Sequence, residues 1–424
     1  MVRSRRLLFV TPYLPSPPGF GGQRRMHGLF SGLARSHAVS VLSLVNPDNP
    51  REASPEATRR YCETVVTVPN PAFALSSIGK RMLQLRSLAS WRSFEWQSHV
   101  VPALLRELRA LLARERYDVV TFEFSQMAPY RRWLPQEGAR PVFVLDEHNI
   151  EYQILQRTAA SESGRSRRLY NSMNLTKLRR EERQAWRSFD GCTVTSAHDE
   201  KLLLRDVPLA ATTVIPNAVD LDFFRPRAEA PVPNTILFFG AHNYFPNADG
   251  LRYFLSECMP LLKQTVPAVK LRVVGYTPAG FQSFASESVQ MVGFVDDVRV
   301  ELAAAAAVIV PLRVGGGTRL KILEAMAMGK PVVSTRVGAE GLEVVPDRDL
   351  LIADEPAAFA GAIARVLSDA ALARSLGAAG RLLVEKSYGW EGAVERLERF
   401  HDRLIDARTS GLTDHQLRAL SSPP

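Results

Sequence analysis

Short apolar runs separated by stretches of helical spacing recur along the whole chain. In the first half Arg6–Val10, Val39–Val45, Cys62–Val68, Asp118–Phe122, Pro141–Leu145 and Gly191–Ser196 read as strands. Such runs are nearly continuous in apolar character, as strands of a parallel sheet covered on both faces must be. Helical patterns lie between them, from Gln23 to Leu33, from Ala72 to Leu112 and from Ser166 to Arg187. The second half repeats the alternation. Strands are expected at Thr235–Gly240, Lys270–Gly275, Val332–Ser334 and Leu350–Ile352, with helices over Ala248–Leu262, Ala303–Ala307, Pro356–Leu367, Leu372–Val384 and Glu391–Leu404. No internal repeat relates the halves. A chain of 424 residues exceeds one ordinary core, so the pattern predicts two doubly wound, Rossmann-like α/β domains. The boundaries expected are 1–217 and 218–390, then a helix over 391–407 and a loose tail over 408–424; the proline-rich segment 226–233 marks the junction.

Composition narrows the class. An apolar share of 46% and a charged share of 23% are those of a globular protein, and no run approaches the roughly 18 apolar residues of a membrane span. The opening Leu7-Leu8-Phe9-Val10 is broken by Thr11-Pro12-Tyr13, which suits a first strand better than a signal peptide. Cys62, Cys192 and Cys258 are too far apart for a zinc or disulfide pattern, so a reducing cytoplasm is expected. Charge is lopsided: residues 1–217 hold 31 Lys and Arg against 20 Asp and Glu, whereas the remainder holds 22 against 24. A basic first half suits an anionic membrane surface or a phosphate-bearing acceptor. No basic strand with interleaved aromatics argues for nucleic acid. The stretch Ala72–Leu112 sets Lys80, Arg81, Arg86 and Arg92 beside Met82, Leu83, Leu85, Leu88 and Trp91. That face fits anionic lipid and a solvated helix equally.

The densest chemistry lies at Gly315–Gly338. Gly315-Gly316-Gly317 follows the apolar run Val308–Leu312 and precedes a helical pattern from Thr318 to Met328, with Thr318 as the expected N-cap. A glycine turn feeding a helix start offers free N–H groups and the positive end of a dipole to a phosphate. Arg319 and Lys321 put two cations at the same end, where an anion would have to relieve them. Glu324 sits among Leu323, Ala325, Met326 and Ala327. It reads either as a solvated face paired with Lys321 or as a cleft carboxylate accepting from a pair of sugar hydroxyls.

The run Glu324-Ala325-Met326-Ala327-Met328-Gly329-Lys330-Pro331-Val332-Val333 resembles the donor-site signature of the family-4 glycosyltransferases, retaining enzymes of the GT-B fold. The resemblance spans roughly residues 7–405 and implies two Rossmann-like domains facing a cleft, with the terminal helix returning to the first. It assigns Glu324 to the ribose hydroxyls of the donor nucleotide. The family carries a second glutamate eight residues earlier; here that position is Gly316, so amides of Gly316 and Gly317 are expected to stand in. The family's loop after the first strand of the donor domain often holds an arginine and a lysine that clamp the diphosphate. Here it reads Ala241-His242-Asn243-Tyr244-Phe245-Pro246-Asn247, without a cation. The clamp is therefore expected to have moved to Arg319 and Lys321, with Thr318 and Asn243 also on the donor. Val292–Asp297 resembles the nucleobase loop, with Phe294 stacking on the base. Val214–Asp220 resembles the interdomain hinge.

In the first half, the loop Thr11–Gly22 carries four prolines and three glycines and opens a helix, a Rossmann-like entry without the dinucleotide fingerprint. By resemblance it lines the donor phosphate and acceptor, with Gly21 and Gly22 on the donor and Arg24 on the acceptor. The strand ending at Leu145 runs into Asp146-Glu147-His148-Asn149-Ile150-Glu151. His148 looks like the family histidine that reaches the donor sugar. The resemblance implies transfer of a hexose from a nucleoside diphosphate sugar to a glycan or lipid-linked acceptor, by front-side attack assisted by the leaving phosphate. No cofactor or metal is expected, and cell-envelope or exopolysaccharide assembly is the implied setting. A sugar-nucleotide epimerase, a glycosidic phosphorylase and a degenerate partner protein are the alternatives.

Overall fold

The computed structural model describes residues 4–410 apart from Pro18, 50–53, Glu137, Ala139, 162–163 and Leu209. Most of the expected tail thus lies outside the described residues. The chain forms two compact units, one of residues up to Pro216 together with those from Ala393 onward, the other Asn217–Gly392.

The first unit is built on a parallel sheet of β1 (Arg6–Thr11), β2 (Ala38–Val45), β3 (Thr64–Pro69), β4 (Val119–Glu123), β5 (Val142–Glu147), β6 (Gly191–Val194) and β7 (Thr212–Val214). Their order is β3-β2-β1-β4-β5-β6-β7, and every pairing is parallel. The direction of winding reverses between β1 and β4. Ligands in open α/β sheets bind beyond the carboxyl ends of the strands at such a reversal. The second unit repeats the plan with β8 (Thr235–Phe239), β9 (Lys270–Val274), β10 (Val289–Gly293), β11 (Ala307–Val310), β12 (Val332–Ser334) and β13 (Leu351–Ile352). Here the order is β10-β9-β8-β11-β12-β13, with the reversal between β8 and β11.

Local chemistry explains where elements depart from the apolar pattern. The helical stretch expected over Ala72–Leu112 is three helices, Ser77–Leu88, Phe94–His99 and Pro102–Arg114. Ser76 and Ser93 cap the first two through their hydroxyls, and proline opens the third. The helix placed at Ala303–Ala307 lies instead at Val298–Ala304, because the Asp297 carboxylate caps the Arg299 amide and fixes the start. The helix expected to begin at Ala248 begins at Phe245, with Pro246 in its first turn, and passes through a π-helical turn at Phe254–Cys258. The terminal helix Trp390–Thr409 packs on the first unit from Ala393 onward. Val394 lies over Gly32 so closely that a Cβ there would come within 2.5 Å of Cγ2. Arg5 pairs with Asp402 at 3.0 Å and His37 with Glu398 at 3.0 Å. Among the described residues no single helix is long and apolar enough to cross a membrane.

Candidate functional site

At the reversal of the first sheet, the helix Gly21–Leu33 starts directly after the β1 loop. Gly21 and Gly22 are its first two residues. A Cβ on Gly22 would fall 2.2 Å from the Tyr13 hydroxyl and 2.9 Å from the Phe124 ring, so glycine is required there by close packing. Phe124 follows β4 with φ +67° and ψ 149°, a region almost reserved for glycine. Its amide is anchored to the Asp146 carbonyl at 2.9 Å, and its ring stacks on His148 at 3.6 Å. The strained backbone therefore presses an aromatic face onto the histidine.

β5 runs on through Asp146 and Glu147, further than its apolar run, and delivers both side chains into the interior. Asp146 takes two N–H groups of Arg25, at 2.9 and 2.8 Å, and the Thr193 hydroxyl. Arg25 also donates to the Ile215 carbonyl at 2.8 Å. Burial alone would raise the Asp146 pKa, but the guanidinium and His148 outweigh it and hold this carboxyl well below its ordinary range. His148 Nε2 lies 2.7 Å from Glu123 Oε2 and 3.4 Å from Asp146 Oδ2. Burial disfavours its charged form, yet hydrogen bonds to Asp146 and Glu123 prevail and its pKa is raised. Glu123 is pushed up to about 7 by burial and by Asp146.

A second carboxylate layer lies beside it. Trp186 Nε1 donates to Glu147 at 2.7 Å, and burial pushes Glu147 up to about 8. Glu151 rises to about 7, chiefly by burial. The stretch expected to be helical over Ser166–Arg187 is a helix over Arg165–Ser188 that turns Glu182 inward. That carboxylate accepts from the amides of Glu151 and Tyr152 at 2.9 and 2.8 Å and so caps the preceding helix, Glu151–Ser161, from outside.

Glu123, Asp146 and His148 bring one ligand atom each within 4.8 Å of one another. Arg25 already occupies both oxygens of Asp146, and His148 Nε2 is engaged by Glu123. A divalent ion would have to displace a buried guanidinium, so the donor set suits a proton-sharing network better than a cation. Arg24, the expected acceptor contact, is half-buried, with its pKa lowered by burial. The organising cation is Arg25, one residue on. Its signal was in the sequence: Arg25 shares a helical face with Gly22, Leu29 and Leu33 and is therefore turned inward. Glu123, closing an otherwise apolar strand, carried a similar signal.

In the second unit the reversal between β8 and β11 holds the glycine loop. Gly315 and Gly317 take φ of +143° and +64°. The turn at Gly317 keeps Thr318 in the loop, so Thr318 is not the N-cap: the helix is Leu320–Ala327, capped by the backbone of Arg319 without a side-chain bond. Thr318 Oγ1 is buried, with no hydrogen-bond partner among the described residues, and its carbonyl accepts from Asn217 at 3.3 Å. The Arg319 guanidinium folds onto the loop and donates to the carbonyls of Gly316 and Gly317, the latter at 2.6 Å.

Lys321 reaches the other way. Its ammonium donates to Asn247 Oδ1 at 2.8 Å and lies 4.6 Å above the Phe238 ring. A Cβ on Gly240, at the end of β8, would come within 3.1 Å of this Nζ. The cation absent from the sequence of loop 241–247 is thus supplied to it from the helix. Burial, with Arg319 adding repulsion, brings the Lys321 pKa down to about 7. His242 is buried in the same place, with Nδ1 3.1 Å from Thr277 Oγ1 and Nε2 without a partner among the described residues. Burial and Lys321 lower it to about 4. The loops after β8 and β9 meet backbone to backbone, since a Cβ on Gly275 would lie 2.1 Å from the Gly240 carbonyl oxygen. Asn243 is exposed on the loop, and Phe294, 79% exposed, stands in the loop after β10. Glu324 is buried, which removes its reading as a solvated face.

Residues 21–223 match the family described as Glycosyltransferase Family 4, and residues 233–369 match Glycosyl transferases group 1. The chain belongs to the family-4, group 1 glycosyltransferases, and its two α/β units are those of the GT-B fold. Among curated proteins, a phosphatidylinositol N-acetylglucosaminyltransferase subunit from Arabidopsis thaliana is 26% identical over 241 residues. That match takes in 54% of this chain and 52% of the relative, about half the length of each. Sucrose-phosphate synthase from Thermosynechococcus elongatus superposes with a TM-score of 0.72 at 22% identity, covering 95% of this chain and 100% of that one. HepE from Anabaena, solved with UDP-glucose, gives 0.64 at 15% identity, covering 96% and 100%. Both likenesses are of fold.

Proposed function

We propose that the protein is a retaining, metal-independent glycosyltransferase that moves a hexose from a nucleoside diphosphate sugar to a glycan or lipid-linked acceptor in envelope or exopolysaccharide assembly. The observation that carries this reading is the relocated cation: Lys321 Nζ sits 2.8 Å from Asn247, beside the glycine loop and a helix start with no side-chain cap. Amides, the Arg319 guanidinium and the Lys321 ammonium together suit a diphosphate, whose charge grows as the glycosidic bond breaks. In this reading Glu324 accepts from the ribose hydroxyls, Phe294 stacks on the base, and Gly316, Gly317, Thr318 and Asn243 contact the donor. Gly21, Gly22 and His148 serve the donor sugar and Arg24 the acceptor. The HepE structures contain UDP and UDP-glucose, which favours UDP as the first nucleotide to test. The curated relative's name pairs an aminosugar with a phosphatidylinositol, which favours a lipid-linked acceptor.

A thermal-shift screen against UDP, GDP, ADP and their sugar conjugates tests the reading. A ligand that binds only the native state raises the midpoint by mass action. One nucleotide class is expected to stand out. A folded protein that responds to none of them would instead be a degenerate relative acting as a partner.

A further inference from the structure

The first unit carries one surface that the transfer reaction does not use. Helix Ser77–Leu88 exposes Ile78, Met82 and Leu85, at 71%, 66% and 65% exposure, and these lie on one stripe by their spacing. Trp91 follows at 81% exposure. The neighbouring helix Arg165–Ser188 adds Leu169, at 64%, and Met173. The two elements are tied together: Lys177 Nζ donates to the Ser87 carbonyl at 2.6 Å, Arg180 to the Trp91 carbonyl at 2.6 Å, and Ser87 Oγ meets the Tyr170 hydroxyl at 3.2 Å. Large apolar side chains held open in this way mark an interaction surface.

Charge identifies the partner. The sequence has no Asp or Glu from Thr64 to Phe94, nor from Ser163 to Arg180. Over the same stretches Lys80, Arg81, Arg86, Arg167, Arg168 and Arg180 are exposed. A protein partner with an acidic rim would meet such a face at a few fixed pairs. Here apolar tips are spread among cations along the first helix and the first half of the second, as insertion among acyl chains beneath a layer of negative headgroups requires. An exposed tryptophan suits the boundary between the two.

We propose that this face docks on an anionic lipid bilayer, inserting Ile78, Met82, Leu85 and Trp91 while Lys80, Arg81, Arg86, Arg167 and Arg168 meet the headgroups. The inference rests on this surface alone and stands whether or not the donor reading does.

The test is co-sedimentation of the full chain with vesicles of phosphatidylcholine, with and without about 30 mol % phosphatidylglycerol. Binding is expected on the anionic vesicles only and should fall as salt rises. The double variant K80E/R81E should lose at least ~10-fold in affinity. The variant M82E/L85E, which keeps every cation, should lose binding as well. All four positions are exposed, so the variants should unfold at the parent's midpoint. Quenching by brominated acyl chains, compared between the parent and W91F, reports insertion of this indole directly. Equal binding of M82E/L85E and parent, an unquenched Trp91, or no preference for anionic vesicles would each overturn the proposal. An unquenched Trp91 with salt-sensitive binding would leave a surface that senses charge only, such as one for a soluble polyanion.

Discussion

The Lys321 ammonium makes the affinity for a nucleoside diphosphate depend on pH in a direction the structure sets. Its pKa of about 7 in the unliganded protein leaves it about half charged near neutrality. A bound diphosphate requires the charged form. Above pH 7 each further unit costs up to about tenfold in affinity, because a proton must be taken up before the anion is satisfied. Between about pH 7 and pH 9 the expected fall is ~10- to 100-fold; solvent reaching the half-buried ammonium favours the smaller figure. The ligand does not confuse this window, since a terminal phosphate loses its last proton near pH 6. Stability works in the opposite sense. With a folded pKa below its unfolded value, Lys321 holds fewer protons folded than unfolded between about 7 and the ordinary lysine value, so its own contribution to the stability of the free protein grows as pH rises there. The raised carboxyls Glu123, Glu147 and Glu151 work against it up to about pH 8, so the unfolding midpoint is followed at each pH. Glu123 and Glu147 in the first unit titrate near the same pH, and the variant Lys321→Met separates their contribution. Isothermal titration with the nucleotide identified by thermal shift should give a steep pH dependence in the parent, with net proton uptake. Lys321→Met should bind more weakly near pH 7 and with a flat profile. A flat profile in the parent, or an equally steep one in the variant, would refute the assignment of Lys321 to the diphosphate.

Replacing Arg25 by methionine leaves the buried Asp146 carboxylate without its guanidinium, with only Thr193 and His148 beside it, which should cost ~3–5 kcal/mol in urea unfolding. Because Asp146 is held below its ordinary pKa, the parent's stabilisation is present above that ordinary value and is lost as pH falls; a loss under ~1 kcal/mol would place Arg25 outside the network. Gly22→Ala forces a methyl into Tyr13 and Phe124 and should lower turnover while leaving nucleotide affinity, which the proposed reading assigns to the second unit, unchanged. Equal turnover would show that the Phe124–His148 stack does not matter to the reaction. Glu324→Gln should weaken nucleotide binding ~10- to 100-fold, the worth of a charged hydrogen bond. A 2′-deoxy nucleotide should show a comparable loss on the parent and little further loss on the variant; additive losses would remove Glu324 from the ribose.

The fold was largely legible because both sheets are parallel and covered on two faces, so their strands stand out as apolar runs. What the pattern hid was set by single polar contacts. Asp297 moved a helix start by capping, and Ser76 and Ser93 divided a long basic stretch into separate helices. β5 continued through Asp146 and Glu147 because Arg25 and Trp186, distant in sequence, satisfy those carboxylates. The donor-loop residues could be named from the signature, but their geometry could not. Thr318 looks like a helix cap, yet the left-handed Gly317 postpones the helix beyond it. Lys321 could be placed at a helix start, whereas its approach to Asn247 depends on how two loops at the reversal of the sheet meet. Glu123 and Phe124 escaped notice because neither belongs to a motif; each acts through the histidine it touches.

The central claim is hexosyl transfer with retention. The most direct measurement is proton NMR of the product formed from the nucleotide sugar that stabilises the protein, with short alkyl glycosides and lipid-linked glycans as acceptors. The account predicts an acceptor-dependent product whose anomeric coupling matches the configuration of the donor. Inverted coupling, or release of free sugar at a rate indifferent to every acceptor, would contradict it.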